Sequence, residues 1–267
     1  MIAAVRVIST WTAAIWLLIS PANAADVSVD LELVLAIDVS GSMDADEHAL
    51  QRQGWVAAFR HPGVLEAINA GYLGRIAVTY YEWAGPASQV ITAPWMLIDG
   101  KASAERFARV LEGQPRAFIR GTSISGGLLF GAELFHGNGF TATRRVIDIS
   151  GDGPNNVGHP VEKARDQVVR QGITINGLPL MLKEHWAHGW PGTDSLDVYF
   201  KDCVIGGRGA FMVPVRGKVH MARAIRRKLI QEIAGGPARL IPASMTARAS
   251  KSDCFIGEKW REIREEW

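Results

Sequence analysis

The stretch Leu33-Val34-Leu35-Ala36-Ile37-Asp38-Val39-Ser40-Gly41-Ser42-Met43 carries an apolar, β-prone run that stops at an aspartate. Hydroxyls follow Asp38 at spacings of two and four, on Ser40 and Ser42. A strand delivers these groups to its C-terminal tip, and Gly41 lets the loop turn tightly. One carboxylate and two hydroxyls on a short loop make half of an all-oxygen cage for a hard divalent cation. Two other segments offer the remainder. Gly121-Thr122-Ser123 brings a hydroxyl after a long loop, and Ile147-Asp148-Ile149-Ser150-Gly151-Asp152-Gly153 brings a carboxylate just past another apolar strand.

Outward from that stretch, strands and helices alternate. The pattern predicts strands near 31–38, 75–83, 89–97, 145–149, 173–181 and 210–215. Helices are expected over 44–60, 64–70, 102–111, 123–135, 161–170 and 219–233, with a short polar helix at 258–265. A short Gly-Pro link between the second and third strands fits an antiparallel edge hairpin, whereas the other strands need crossovers. The expected class is therefore α/β, a Rossmann-like doubly wound, mainly parallel sheet with one antiparallel edge strand. Ligands of such sheets sit outside the carboxyl ends of the strands, where Asp38, Thr122 and Asp152 fall. Residues 183–209 show the least regular pattern.

The three segments together resemble the metal-ion-dependent adhesion site of von Willebrand factor type A (VWA) domains. That pattern runs Asp-x-Ser-x-Ser, then Thr, then Asp, and Asp38, Ser40, Ser42, Thr122 and Asp152 match it in order. The likeness covers roughly residues 30–235. A narrower similarity is to the DUF1194 family of exported bacterial proteins. It is carried by the residues around Asp38, by Arg120-Gly121-Thr122-Ser123-Ile124 and by Asp202-Cys203-Val204-Ile205-Gly206-Gly207. The resemblance implies a VWA-type fold and a site for Mg²⁺ (or Mn²⁺ or Ca²⁺) on those five residues, with the carboxylates acting partly through bound water. It implies no activity. One departure is Ser150-Gly151-Asp152-Gly153, where the family often places Thr before Asp-Gly. The extra glycine leaves Asp148 as an alternative ligand, less suited because it lies inside the strand.

Hydrophobic residues at 48% and charged residues at 21% suit one globular domain with a full core. A net charge of +2 argues against a nucleic-acid binder, which needs a strong basic excess. Arg6, the apolar run from Val7 to Ile19 and the small residues of Pro21-Ala22-Asn23-Ala24 form a secretory signal pattern. The run is roughly 13 residues against about 20 needed to cross a bilayer, so no integral span is expected after cleavage. The expected division is a signal peptide over 1–24, the VWA-like domain over 30–235 and a tail over 236–267, with a periplasmic or secreted destination. Two cysteines in an exported chain allow one bridge, Cys203 to Cys254, tying the tail to the domain; two free thiols are the alternative.

Hydroxyl-rich ligation leaves a cation much of its positive charge, so that it can accept a carboxylate from outside. This favours a metal-dependent binding module whose partner is a protein presenting an Asp or Glu. The alternatives are a metal-dependent hydrolase and a structural component of an envelope assembly. No enzyme is expected: a nucleophile elbow, a phosphate-binding loop and a His-Glu-x-x-His pair are all missing from the sequence. Several other groups receive plain readings. Glu82 and Trp83 end an exposed strand, and His159, His185 and His188 are solvated loop histidines. Arg223, Arg226, Arg227 and Lys228 form a solvated helix face. The aromatics Trp186, Trp190, Tyr199 and Phe200 form either a partner-binding ridge or a satellite core.

Overall fold

The computed structural model describes residues 25–113, 121–183, 195–235 and 252–265. The expected signal peptide, His185, Trp186, His188, Trp190 and the whole 236–251 stretch lie outside these residues. The strands are β1 Val27–Val29, β2 Glu32–Asp38, β3 Ile76–Trp83, β4 Gln89–Ile98, β5 Phe140–Ala142, β6 Arg145–Gly151, β7 Ile173–Met181 and β8 Val215–Arg216. Six of them form one sheet in the order β4-β3-β2-β6-β7-β8. Every neighbour pair is parallel except β3 with β4, the antiparallel edge hairpin the sequence predicts.

Alternation in β2 explains why the sheet is covered twice. Leu33, Leu35 and Ile37 enter one apolar cluster, while Val34 and Ala36 enter the other. The first face carries α1 Ala45–Arg60, α2 Pro62–Asn69 and α3 Lys101–Glu112. The second carries α4 Ile124–Glu133 and α5 Val161–Arg170. Asp44 starts α1 through a reciprocal cap: its carboxylate accepts the Glu47 N–H at 2.8 Å, and the Glu47 carboxylate accepts the Asp44 N–H at 2.9 Å. No helix of the described residues is long and apolar enough to cross a membrane.

The chain departs from expectation in three places. In place of a strand over 210–215 there is only the two-residue β8, which runs on to Arg216, and a single bridge from Met212 to Gly177, because Pro214 has no N–H to continue the ladder. Val27–Val29 and Phe140–Ala142 pair as a small parallel sheet that the sequence pattern does not announce. Leu196–Val204, expected to be irregular, forms the short helix α6 Leu196–Tyr199 and then a π turn, Phe200–Val204. Tyr199 and Phe200 are consequently core residues, packed with Leu196, Cys203 and Val204.

A further correction concerns the helix α7, Met221–Ile233. Arg223 and Arg227 face solvent, but Lys228 is fully buried. Its Nζ lies 2.5 Å from Asp148 on β6 and 2.5 Å from Glu232, one turn along its own helix. Asp148 is thus engaged in an internal ion cluster beneath the sheet rather than exposed at the strand tip. Burial, followed by the charge of Asp148, pushes the Glu232 carboxyl up to about 8. Removing the cation strands buried carboxylate charge, so Lys228→Met is expected to cost about 3–5 kcal/mol in urea unfolding. An unchanged midpoint would contradict this account of the cluster.

Candidate metal centre

Asp38 is the last residue of β2, and Asp152 directly follows β6, its parallel neighbour. Adjacent parallel strands therefore bring both carboxylates to one rim. Each is almost completely buried, at 0% and 1% exposure. The two oxygens of Asp38 hold two different loops: Oδ1 accepts the Ser40 N–H at 2.7 Å, and Oδ2 accepts the Asp152 N–H at 3.4 Å. Val39 donates to the Trp83 carbonyl at 2.9 Å, and Met43 is buried in the core, so the loop between them is fixed at both ends.

The Ser40 and Ser42 hydroxyls meet beside Asp152. Ser40 Oγ and Ser42 Oγ are 2.9 Å apart, and Ser42 Oγ donates to Asp152 Oδ1. Thr122 comes from a different direction, just ahead of α4. Its N–H donates to Asn156 Oδ1 at 3.0 Å, and its carbonyl accepts the Asn156 N–H at 2.9 Å. This pair of hydrogen bonds lashes the Thr122 loop to the loop that follows Asp152. The structure thus brings Asp38, Ser40, Ser42 and Asp152 into direct contact at one rim of the sheet, and ties the Thr122 backbone to the loop after Asp152 through Asn156. Gly151 needs its missing side chain, since a Cβ there would sit 3.3 Å from Asp38 Oδ2 and 3.5 Å from the Phe200 ring. The additional glycine in Ser150-Gly151-Asp152-Gly153 is the last strand residue and leaves Asp152 at the tip.

Electrostatically the site is short of positive charge. Burial first, and then the charge of Asp152, raises the Asp38 carboxyl from its ordinary 3.8 to about 7. Burial also raises Asp152. Asp152 Oδ2 is buried without a hydrogen bond, and Lys183 Nζ stands 3.5 Å from it while donating to the Ser42 carbonyl. Two buried carboxylates, one oxygen reached by Lys183 only at ion-pair distance and the adjoining Ser40 and Ser42 hydroxyls fit a hard divalent cation. No group of three or more His, Cys, Asp and Glu suited to a metal occurs among the described residues, so a cation here must draw on hydroxyls.

Sequence reasoning missed several supporting residues. Lys183, just past β7, lies on the same rim, which the strand order alone would have indicated. Asn155 and Asn156 anchor the third loop, and Gln51 of α1 donates to Ser150 Oγ at 2.6 Å beneath the site. Trp83 and Glu82 are not the end of an exposed strand. Both are buried; Glu82 pairs with Arg52, and the Trp83 ring lies behind Gly151. His159 is exposed, in accord with its plain reading.

A family model described as "Protein of unknown function (DUF1194)" matches residues 28–237. The chain belongs to this family. No curated protein matches it. Among solved structures it is similar to proximal thread matrix protein 1 of the mussel byssus, with a TM-score of 0.57 at 12% identity over 79% of this chain and 50% of that one. The chain thus spans about half the length of the byssus protein. A crystal of the same byssus protein with a zinc-occupied MIDAS motif gives 0.52 at 13% identity, over 79% and 47% of the two chains. The vWF domain of the type V pili tip protein Mfa5 of Porphyromonas gingivalis gives 0.51 at 13% identity, over 79% and 97%. These likenesses show the VWA-type fold.

The raised Asp38 carboxyl has a measurable consequence. Its unfolded form titrates near 3.8 and its folded form near 7, so its stabilising contribution is complete below 3.8 and is lost as pH climbs to 7. Without divalent cations, urea midpoints should show this decline in the wild type and a shallower one in Asp38→Asn. Parallel pH profiles would contradict the assignment.

Proposed function

We propose that this protein is an exported VWA module that holds a divalent cation at Asp38, Ser40, Ser42, Thr122 and Asp152 and binds a partner protein through an Asp or Glu carboxylate. The observation that carries the reading is the pair of carboxylates buried together at neighbouring strand ends, with the Ser40 and Ser42 hydroxyls beside them. Mg²⁺ is the expected ion, with Mn²⁺ or Ca²⁺ as substitutes. The zinc in the MIDAS motif of the byssus protein and the pilus-tip location of Mfa5 support the reading by analogy.

Each residue has a distinct task. Asp38 orients the Ser40 and Asp152 backbones, Ser40 and Ser42 present neutral oxygens, and Asp152 brings charge. Thr122 closes the set from the loop before α4. Lys183 adds a second positive group beside Asp152, which favours an anionic visitor over a neutral one. A bound cation would supply an electropositive contact for that visitor's carboxylate. The role is binding rather than catalysis. Export is supported by the Cys203–Cys254 bridge, since disulfides persist in oxidising compartments.

Calorimetric titration with Mg²⁺, Mn²⁺ and Ca²⁺ tests the site. Saturable one-site binding is expected, weakened by about 10–100-fold in Asp38→Ala and Ser42→Ala. Wild-type affinity in both variants would overturn the assignment. Capture of immobilised Asp- or Glu-terminated peptides should need the cation and disappear with a chelator. Chelator-insensitive capture would contradict a metal-bridged mode.

A further inference from the structure

The chain continues beyond the stretch that the family model matches, and its end returns to the metal rim. Cys254 is bonded to Cys203 in the π turn, 51 residues away. The helix α8, Ile256–Glu265, starts just after that bridge. Ser252 N–H donates to the Asp202 carboxylate at 3.0 Å, which fixes the approach to the bridge. Cys254 is buried, and Ile256 packs on the same apolar cluster as α4 and α5.

The first turn of α8 lands on the loop that carries Asp152. Glu258 Oε1 accepts a hydrogen bond from Asn155 Nδ2 at 2.7 Å. Gly257 lies so close that a Cβ would come within 2.0 Å of the Asn155 carbonyl oxygen and 3.2 Å of the Pro154 ring. Only glycine allows this seat. Asn155 is itself a hub: its Oδ1 accepts the Ser125 N–H of α4 at 3.0 Å, and its N–H donates to the Tyr199 hydroxyl at 3.1 Å. Its neighbour Asn156 holds Thr122. A contact at Asn155 is therefore felt by both the Asp152 and the Thr122 loops. A helix this short and polar is marginal by itself in water, so α8 depends on its docking and on the bridge that confines it.

We infer that the disulfide-pinned C-terminal segment is a brace for the cation site, with Gly257 and Glu258 as positioning residues that set Asp152 and Thr122 through Asn155. This inference rests on the metal reading above and adds to it a role for residues outside the family match.

The test is Mn²⁺ titration calorimetry on the full chain, paired with hydrogen exchange over residues 152–156, for wild type, Cys254→Ser, Glu258→Ala and Glu258→Gln. Glu258→Ala keeps the bridge and the apolar seat but loses the acceptor. It should weaken Mn²⁺ binding by about tenfold and speed exchange in the loop. Glu258→Gln keeps a carbonyl acceptor and should restore both. Cys254→Ser should weaken binding at least as much as Glu258→Ala. Wild-type affinity and exchange in Glu258→Ala overturn the brace, whatever Cys254→Ser does to overall stability. Weakening in Glu258→Ala that Glu258→Gln does not restore overturns the positioning role of that bond. Absence of Mn²⁺ binding in the wild type overturns the metal reading and the brace together, a result distinct from loss of the brace alone.

Discussion

Two carboxylates buried side by side at the tips of neighbouring strands are the constraint on which this molecule turns. Each would be comfortable in water, and neither is cheap to bury. The fold nevertheless seats Asp38 and Asp152 within reach of each other's loops and surrounds them with hydroxyls and backbone N–H groups. Two carboxylates buried at adjoining strand ends with one lysine beside them fit a site that a cation would complete. The remaining architecture serves it. The parallel pairing of β2 with β6 sets the spacing of the carboxylates, and Trp83, Phe200 and Gly151 form the floor behind them.

A second buried charge cluster offers a useful contrast. Asp148 lies only four residues before Asp152, on the same strand, but faces α7, where Lys228 neutralises it within the core. The carboxylate within β6 is thus answered in the core, while the one just past its end has Lys183 beside it, at 3.5 Å. The strand's end makes that distinction, since residues four apart share a face of the strand. Asp148 points from the middle of β6 into the layer of α1 and α7, whereas Asp152 lies beyond the last paired residue. The same strand carries a structural ion cluster and half of the candidate site, and the two should respond independently to substitution.

Much of this was legible in the chain. The apolar run before Asp38, the hydroxyl spacing and the strand–helix alternation located the sheet, its antiparallel edge and the meeting of Asp38, Ser40, Ser42 and Asp152. What escaped did so for identifiable reasons. Leu196, Tyr199, Phe200, Cys203 and Val204 recur at helical spacing, but nearby proline, glycine and charged residues masked the period. Lys228 looked solvated because it sits among arginines, and only the partner strand shows that Asp148 faces it. The residues 210–215 read as a strand by apolar content, while Pro214 denied the ladder a donor. Asn155, Asn156 and Lys183 carry no motif, since their value lies in contacts across the rim between elements distant in sequence. The bridge of the tail and its short helix were expected, whereas its seat on Asn155 escaped because one glycine contact and one hydrogen bond carry no periodic signal.

The most direct test of the central claim is an anomalous difference map from crystals of the full chain grown with Mn²⁺. A single strong peak bounded by Asp38, Ser40, Ser42, Thr122 and Asp152 is the predicted result. A map with no peak there, or with Mn²⁺ held only at other residues, would contradict the account.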